Sequence, residues 1–324
     1  MTADYHAFGA FDGAFSRTKS LLWPFNLGIW LRLAVIAFFI GGFGGGGGSN
    51  YSFPDRGGRD MSSMPVPDFF GLAPTTFFLI LAAVIVLALL FAYVGSVFQF
   101  VLVDCLTSGP VSLSRTFRER MGHGLSFFLF EILLAFVFIA VMVGFVVFGF
   151  VTGIFSGVSN VIALLVLIPV ILLLALVVGV VLMLTVDFVV PVMIADRCGI
   201  VEGWRRVYGI LRADLKNAAV YVVVKVILAI VAALIMGILG LIVLAIIGVP
   251  LFIVALLAGF FANGPSMIWA LVLLIVIGIL IALPFLLLLQ VPFVTFFRFY
   301  SLDVLRRFSP AHDLLAEPEG DAAA

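Results

Sequence analysis

Three ionisable side chains stand inside apolar stretches of this sequence: Arg32 in "IWLRLAV", Glu131 in "FLFEILL" and Lys225 in "VVVKVIL". Charges in hydrocarbon can pair, hold a proton or a small solute, or reach back to a polar boundary. Glu131 reaches the least far of the three. Pairing with Lys225 or Arg32 across a helical bundle is therefore the economical expectation, since an isolated carboxylate there costs about 2.5–3.5 kcal/mol on insertion scales. The same trio, Arg32, Glu131 and Lys225, is the candidate intramembrane site for a proton or a substrate.

A second kind of chemistry is headgroup binding. Arg115 and Arg118 fall in one basic segment, and Trp204, Arg205, Arg206 and Arg212 in another. Over 200–216 a helical period places Ile200, Trp204, Val207, Tyr208, Leu211 and Leu215 on one face, with the arginines towards the others. Near the N-terminus Phe8, Phe11, Phe15 and Leu22 repeat the pattern. Helices of this kind lie among lipid headgroups, with arginines meeting phosphates. The plainer alternative is that they pack beneath a bundle.

Catalytic constellations are missing. There is no HExxH and no GxSxG, and the glycine run "GGFGGGGG" (41–48) lacks the Lys-Ser/Thr of a phosphate-binding loop. His6, His123 and His312 are isolated from one another, and Cys105 and Cys198 have no metal-site spacing. No enzyme activity, metal or cofactor is expected, nor nucleic acid as a partner. Asp104 and Asp187 close two apolar stretches beside arginine-rich turns, where salt bridges are expected. Gln99 and Gln290 are single amides able to bond across helices.

The elements that must position these residues follow from composition. Of 324 residues, 65% are hydrophobic and 10% charged. A soluble domain is nearer half apolar and a quarter charged. Apolar runs beyond eighteen residues recur without period-2 alternation, so an all-α, polytopic transmembrane bundle is expected rather than a barrel. Six spans fit: 27–43, 76–103, 125–151, 161–194, 218–247 and 266–292, with an outer glycine-rich loop over 44–75 and a disordered tail over 309–324. Residues 1–308 form one membrane domain. Pro169, Pro191, Pro284 and Pro292 are expected kink sites. The segment 251–263 looks re-entrant or interfacial.

Of seventeen basic residues, only Arg56 and Arg59 fall on the outer side of this scheme. The positive-inside rule then puts both termini in the cytoplasm, in the cell membrane. The N-terminus lacks the features of a cleaved signal peptide, and "NYS" (50–52) is a formal outer-side sequon.

The chain also matches itself at an offset of 90 residues. "FQFVLVDCLTSGPVSLSRTF" (98–117) lies over "FVVPVMIADRCGIVEGWRRV" (188–207), each turning at a glycine. The opening 16–30 resembles the second half of this unit and "FFRFYSLDVLRRF" (296–308) the first, so a threefold plan is expected. Small-residue stripes at Ala88, Ala92 and Ser96, and at Ala229, Ala233 and Gly237, would permit close helix approach.

The opening, with Trp23-Pro24-Phe25 and then Trp30-Leu31-Arg32-Leu33-Ala34 before the glycines, resembles an uncharacterised family of archaeal multi-pass membrane proteins from haloarchaea and methanogens. The stretch 187–217 is more weakly similar to the membrane domain that accompanies some glycerophosphodiester phosphodiesterases. The first likeness implies an archaeal cytoplasmic membrane. Neither implies catalytic residues, and the phosphodiesterase barrel has no counterpart here. Two functions fit: a non-enzymatic module binding membrane lipids or other membrane proteins, or a small-solute or ion transporter with a polar site around Glu131 and Lys225.

Overall fold

The computed structural model of the chain describes residues 6–42, 74–107, 113–151, 159–261 and 265–315. Those residues are almost all helical and contain no strand. In chain order they form α1 (His6–Leu22), α2 (Leu27–Gly42), α3 (Pro74–Thr107), α4 (Leu113–Val151) and α5 (Ser159–Leu184). A π-helical turn (Thr185–Val189) leads into α6 (Val190–Asp196), followed by α7 (Ile200–Ala213), α8 (Leu215–Phe261) and α9 (Pro265–Phe308). The glycine run from residue 43, residues 44–73 of the expected loop with Arg56, Arg59 and the sequon, the Gly109 turn, 262–263 and the tail from 316 lie outside the described residues.

Five segments are long and apolar enough to cross a membrane: Thr75–Thr107, Leu113–Val151, Leu167–Asp196, Leu215–Leu257 and Val272–Phe308. They overlap the second to sixth expected spans, with several ends running further. The first, α2, has 16 residues, about 24 Å at 1.5 Å per residue, against a hydrocarbon core of roughly 30 Å.

The expectation for 251–263 is corrected as far as the described residues reach. Residues 251–261 continue α8, which runs 47 residues through Pro250. A proline removes one helical hydrogen bond and a long apolar helix keeps the rest, so "GVP" bounds no element here. The expected kink at Pro191 is also specific in form. It is a π turn over Thr185–Val189, one residue short of the proline, where the Val190 N–H reaches back to the Thr185 carbonyl.

Packing is concentrated at one end. One buried cluster gathers Phe100, Phe127, Phe188, Met193, Tyr221 and Tyr300. The other gathers Leu33, Ile36, Val97, Phe98, Val101 and Val291. Both lie where the arginine-bearing ends of the helices meet. Away from them the large side chains are bare, as at Leu79, Phe136, Leu172, Leu241 and Leu280. Apolar surface of that extent is lipid-facing surface.

The two amphipathic helices turn opposite faces to this core. In α7, Ile200, Gly203 and Val207 are buried, and Gly203 lets the helix close on Val189 and Met193. Tyr208 and Leu215 are exposed. In α1 the buried stripe is Ala7, Ala10, Ala14, Thr18 and Leu22, while Phe8 and Phe15 are 62% and 59% exposed. Small residues make most of the contact and Phe8 and Phe15 point away. Gly9 and Gly13 face Arg307 and Asp303, so α1 lies antiparallel to the end of α9.

Candidate functional site

The α5–α6 junction holds the most highly connected polar group of the interior. In the π turn the Val190 N–H is given to Thr185 and Pro191 has none to give. The helix ladder therefore passes over the Val186 carbonyl. Arg298 of α9 takes it, Nη1 donating at 2.6 Å, while Nη2 donates to Gln99 Oε1 at 2.6 Å and to the Gln99 carbonyl at 3.2 Å. Arg298 is 4% exposed. One planar, forked guanidinium thus joins α3, the π turn and α9, which a lysine point charge could not do.

The next residue, Asp187, faces α8. Its Oδ2 accepts from the Tyr221 hydroxyl at 2.8 Å and pairs closely with Lys225 Nζ. Both members of the ion pair are buried. This corrects the expected partnership of Glu131 with Lys225 or Arg32. Glu131 of α4 instead meets Ser96 of α3 at 2.7 Å, and Arg32 is exposed on α2. The three residues of the candidate intramembrane site are not brought together. Asp187 had the outward marks of a boundary residue, but the folded helix ends project past the apolar windows and carry it inside the core.

The remaining expected groups divide. Asp104 forms a two-pronged pair with Arg120, Nε to Oδ2 at 2.7 Å and Nη2 to Oδ1 at 2.9 Å. Gln290 lies against Gly41 of α2. Arg115, Arg118, Arg205 and Arg212 are exposed at the arginine-bearing end, Arg115 beside Glu119. Arg206 is held by Asp196 and Glu202. Trp204 is half-buried, its ring against Phe130. The stripe Ala229, Ala233 and Gly237 is exposed, and no atom lies within 4 Å of a Cβ added at Gly237. In α3 the close approach occurs at Gly95, where a Cβ would lie 2.6 Å from the Phe39 carbonyl oxygen.

A third cluster lies on the surface. His312 Nε2 is 3.0 Å from Asp196 Oδ2, and its Nδ1 is 2.8 Å from Ser309 Oγ. The order of residue types is that of a hydrolytic relay, but the chemistry differs. In such a relay the serine meets Nε2 and the aspartate meets Nδ1. Here the nitrogens are reversed, and Arg206 already neutralises Asp196. The trio clamps the chain end after α9 onto α6 and α7, beside an open groove lined by Ile210, Phe308 and Ala311. Nearby, burial pushes the Cys198 thiol above its ordinary value, away from thiolate chemistry. Among the described residues no three His, Cys, Asp or Glu side chains could hold a metal.

Sequence reasoning missed Arg298, which sits inside a segment already matched to another. "FQFVLVDC" (98–105) and "FRFYSLDV" (297–304) align without gaps. Gln99 and Arg298 hold the same place in them, and in the fold they bond to each other. Polar residues at equal places of related apolar segments were the available signal. Repeat symmetry is incomplete, since α4 is unbroken from residue 113 whereas α7 and α8 part at Asp214.

Comparison with known proteins places the chain in a family. A model of a family of unknown function, DUF7544, matches residues 5–315, and the chain belongs to that family. No curated protein and no solved structure matches it.

Proposed function

We propose that this chain is a non-enzymatic integral membrane module whose arginine-bearing end binds anionic phospholipid at the cytoplasmic face of the cell membrane. The observation that carries the reading is the outward face of α1. Phe8 and Phe15 project from a helix already anchored through its alanines, with Phe11 partly exposed between them against Phe296, leaving an aromatic stripe with Lys19 on the same exposed side of the chain. Aromatic rings beside cations are what a headgroup interface receives. Exposed Arg115, Arg118, Arg205 and Arg212 at the same end add charge for phosphate, each worth about 1 kcal/mol near an anionic surface. Trp204 and Arg206 contribute to packing and are left out of the lipid contact.

In this arrangement α2 crosses as a sixth, thin span, and both termini are cytoplasmic. The positive-inside distribution supports that orientation, and the archaeal likeness supports the cell membrane as its location. A transporter with one polar site at Glu131 and Lys225 gains no support, because each has its own partner on a different helix.

Native mass spectrometry of the protein released gently from phosphatidylglycerol-containing membranes tests the proposal. Bound phospholipid is expected on the wild type and should fall several-fold in a variant with Phe8, Phe11 and Phe15→Ser and Arg205 and Arg212→Ala. Equal lipid retention by a variant of unchanged melting temperature would overturn the reading.

A further inference from the structure

A serine hydroxyl has a single hydrogen to give. Ser96 Oγ stands 2.9 Å from the Ala92 carbonyl oxygen and 2.7 Å from Glu131 Oε2. A carbonyl can only accept. If the Ser96 hydrogen goes there, the shorter contact is satisfied only by a hydrogen on the Glu131 carboxyl. We propose that Glu131 is a proton-binding site in the apolar part of the bundle, its carboxylic acid donating to Ser96 and Ser96 donating to Ala92.

The surroundings favour the neutral, protonated arrangement. Glu131 is half-buried in the seam between α3 and α4, with Leu129 and Leu133 exposed beside it. From α3 the ionisable groups are Tyr93, whose hydroxyl reaches the Met121 carbonyl, and Asp104, which Arg120 holds. Cys105 lies beyond Asp104. The α5 helix has no ionisable side chain. On α7, Glu202 and Arg206 bond to each other, Arg205 is exposed beside Glu202, and Tyr208 and Arg212 are exposed. A carboxylate here would have one hydrogen-bond donor, Ser96, while Arg120 is held by Asp104, Arg206 by Asp196 and Glu202, and Arg205 and Arg212 face outward. Losing the proton turns the Ser96 hydrogen from its own helix towards α4, so the α3–α4 seam has two hydrogen-bonded forms differing by one proton. This site is separate from the lipid-binding surface and stands or falls without it.

Apolar carbodiimides react with protonated carboxyl groups that lie in hydrocarbon, which makes dicyclohexylcarbodiimide the probe. The full chain in phospholipid nanodiscs should acquire an adduct on Glu131, mapped by peptide mass spectrometry, and none on exposed Glu119. Labelling should fall as the pH is raised, because the carbodiimide takes only the protonated carboxyl. It should vanish in Glu131→Gln. An infrared band of a protonated carboxyl should vanish in the same variant, and in Ser96→Ala it should persist but move to higher frequency as its acceptor is lost. An unlabelled Glu131 in folded protein, or a carboxyl band untouched by Glu131→Gln, would overturn the assignment.

Discussion

The Arg298 guanidinium donates at 2.6 Å to the Val186 carbonyl, the backbone acceptor that Pro191, five residues further on, cannot serve. A residue more than a hundred positions away thus closes the gap that a proline opens. The π turn persists because the side chain of another helix completes its hydrogen bonding. The same side chain secures Gln99, so α3, α9 and the α5–α6 junction depend on one group.

Arg298→Ala leaves two or three buried acceptors unmet, each costing roughly 1–3 kcal/mol. The melting temperature in detergent should drop sharply, and Arg298→Lys should restore little of it. In a Pro191→Ala background a backbone N–H becomes available to the junction, so Arg298→Ala should cost less there. A double-mutant cycle by thermal unfolding measures that coupling; strict additivity would refute the link.

The two classes of ion pair should differ widely. Lys225→Met strands the buried Asp187 and should cost about 3–5 kcal/mol, and a combined Asp187→Leu, Lys225→Met change should cost less than that single change. Glu119→Ala removes the exposed partner of Arg115 and should change stability by no more than ~0.5 kcal/mol. Denaturation midpoints of the four proteins decide it.

Glycines separate packed seams from open faces. A Cβ at Gly95 would meet a backbone oxygen at 2.6 Å, and one at Gly124 would meet Val97 Cγ2 at 2.4 Å and its Cα at 2.8 Å. Gly95→Ala and Gly124→Ala should each destabilise by about 1–3 kcal/mol. Gly144 and Gly179 have nothing within 4 Å, so alanine there should gain up to ~1 kcal/mol of helix stability. If all four behave alike in thermal melts, the helix contacts described above are wrong.

The two faces of α1 make opposite predictions. Phe11→Trp and Phe15→Trp should fold normally and be quenched by brominated lipid. Ala10→Leu and Ala14→Leu should instead detach the helix, because both alanines are fully buried and the seam has no room for larger side chains. Limited trypsin cleavage at Arg17 and Lys19 reports the detachment.

Class and most helix positions were legible because a membrane span states itself locally, in length and apolar content. The five long helices occur where the hydropathy places them. Partners were not legible, because pairing depends on which face turns inward. In α1 the conspicuous Phe8 and Phe15 left two readings open, lipid contact or packing beneath the bundle, and nothing marked the quieter Ala7, Ala10 and Ala14 as the buried face. The Lys225 partner was hidden by the π turn, which rotates Asp187 out of ordinary helical register. Near Gly199 the left-handed residue proves to be Arg197, at φ 49°, while Gly199 has ordinary φ and precedes α7. A glycine in the sequence marks permission for such a backbone, and its neighbour used it.

The seam between α1 and α9 has a consequence for how the protein is made. Arg307 donates to the Gly9 carbonyl at 2.6 Å, and the rings of Phe11 and Phe296 meet edge to face. On the ribosome α1 therefore waits for α9, about 15–60 s at ordinary elongation rates of roughly 5–20 residues per second. During that interval α1 lacks its main partner, so nascent chains halted before α9 should be cut by protease at Arg17 and Lys19 more readily than finished chains.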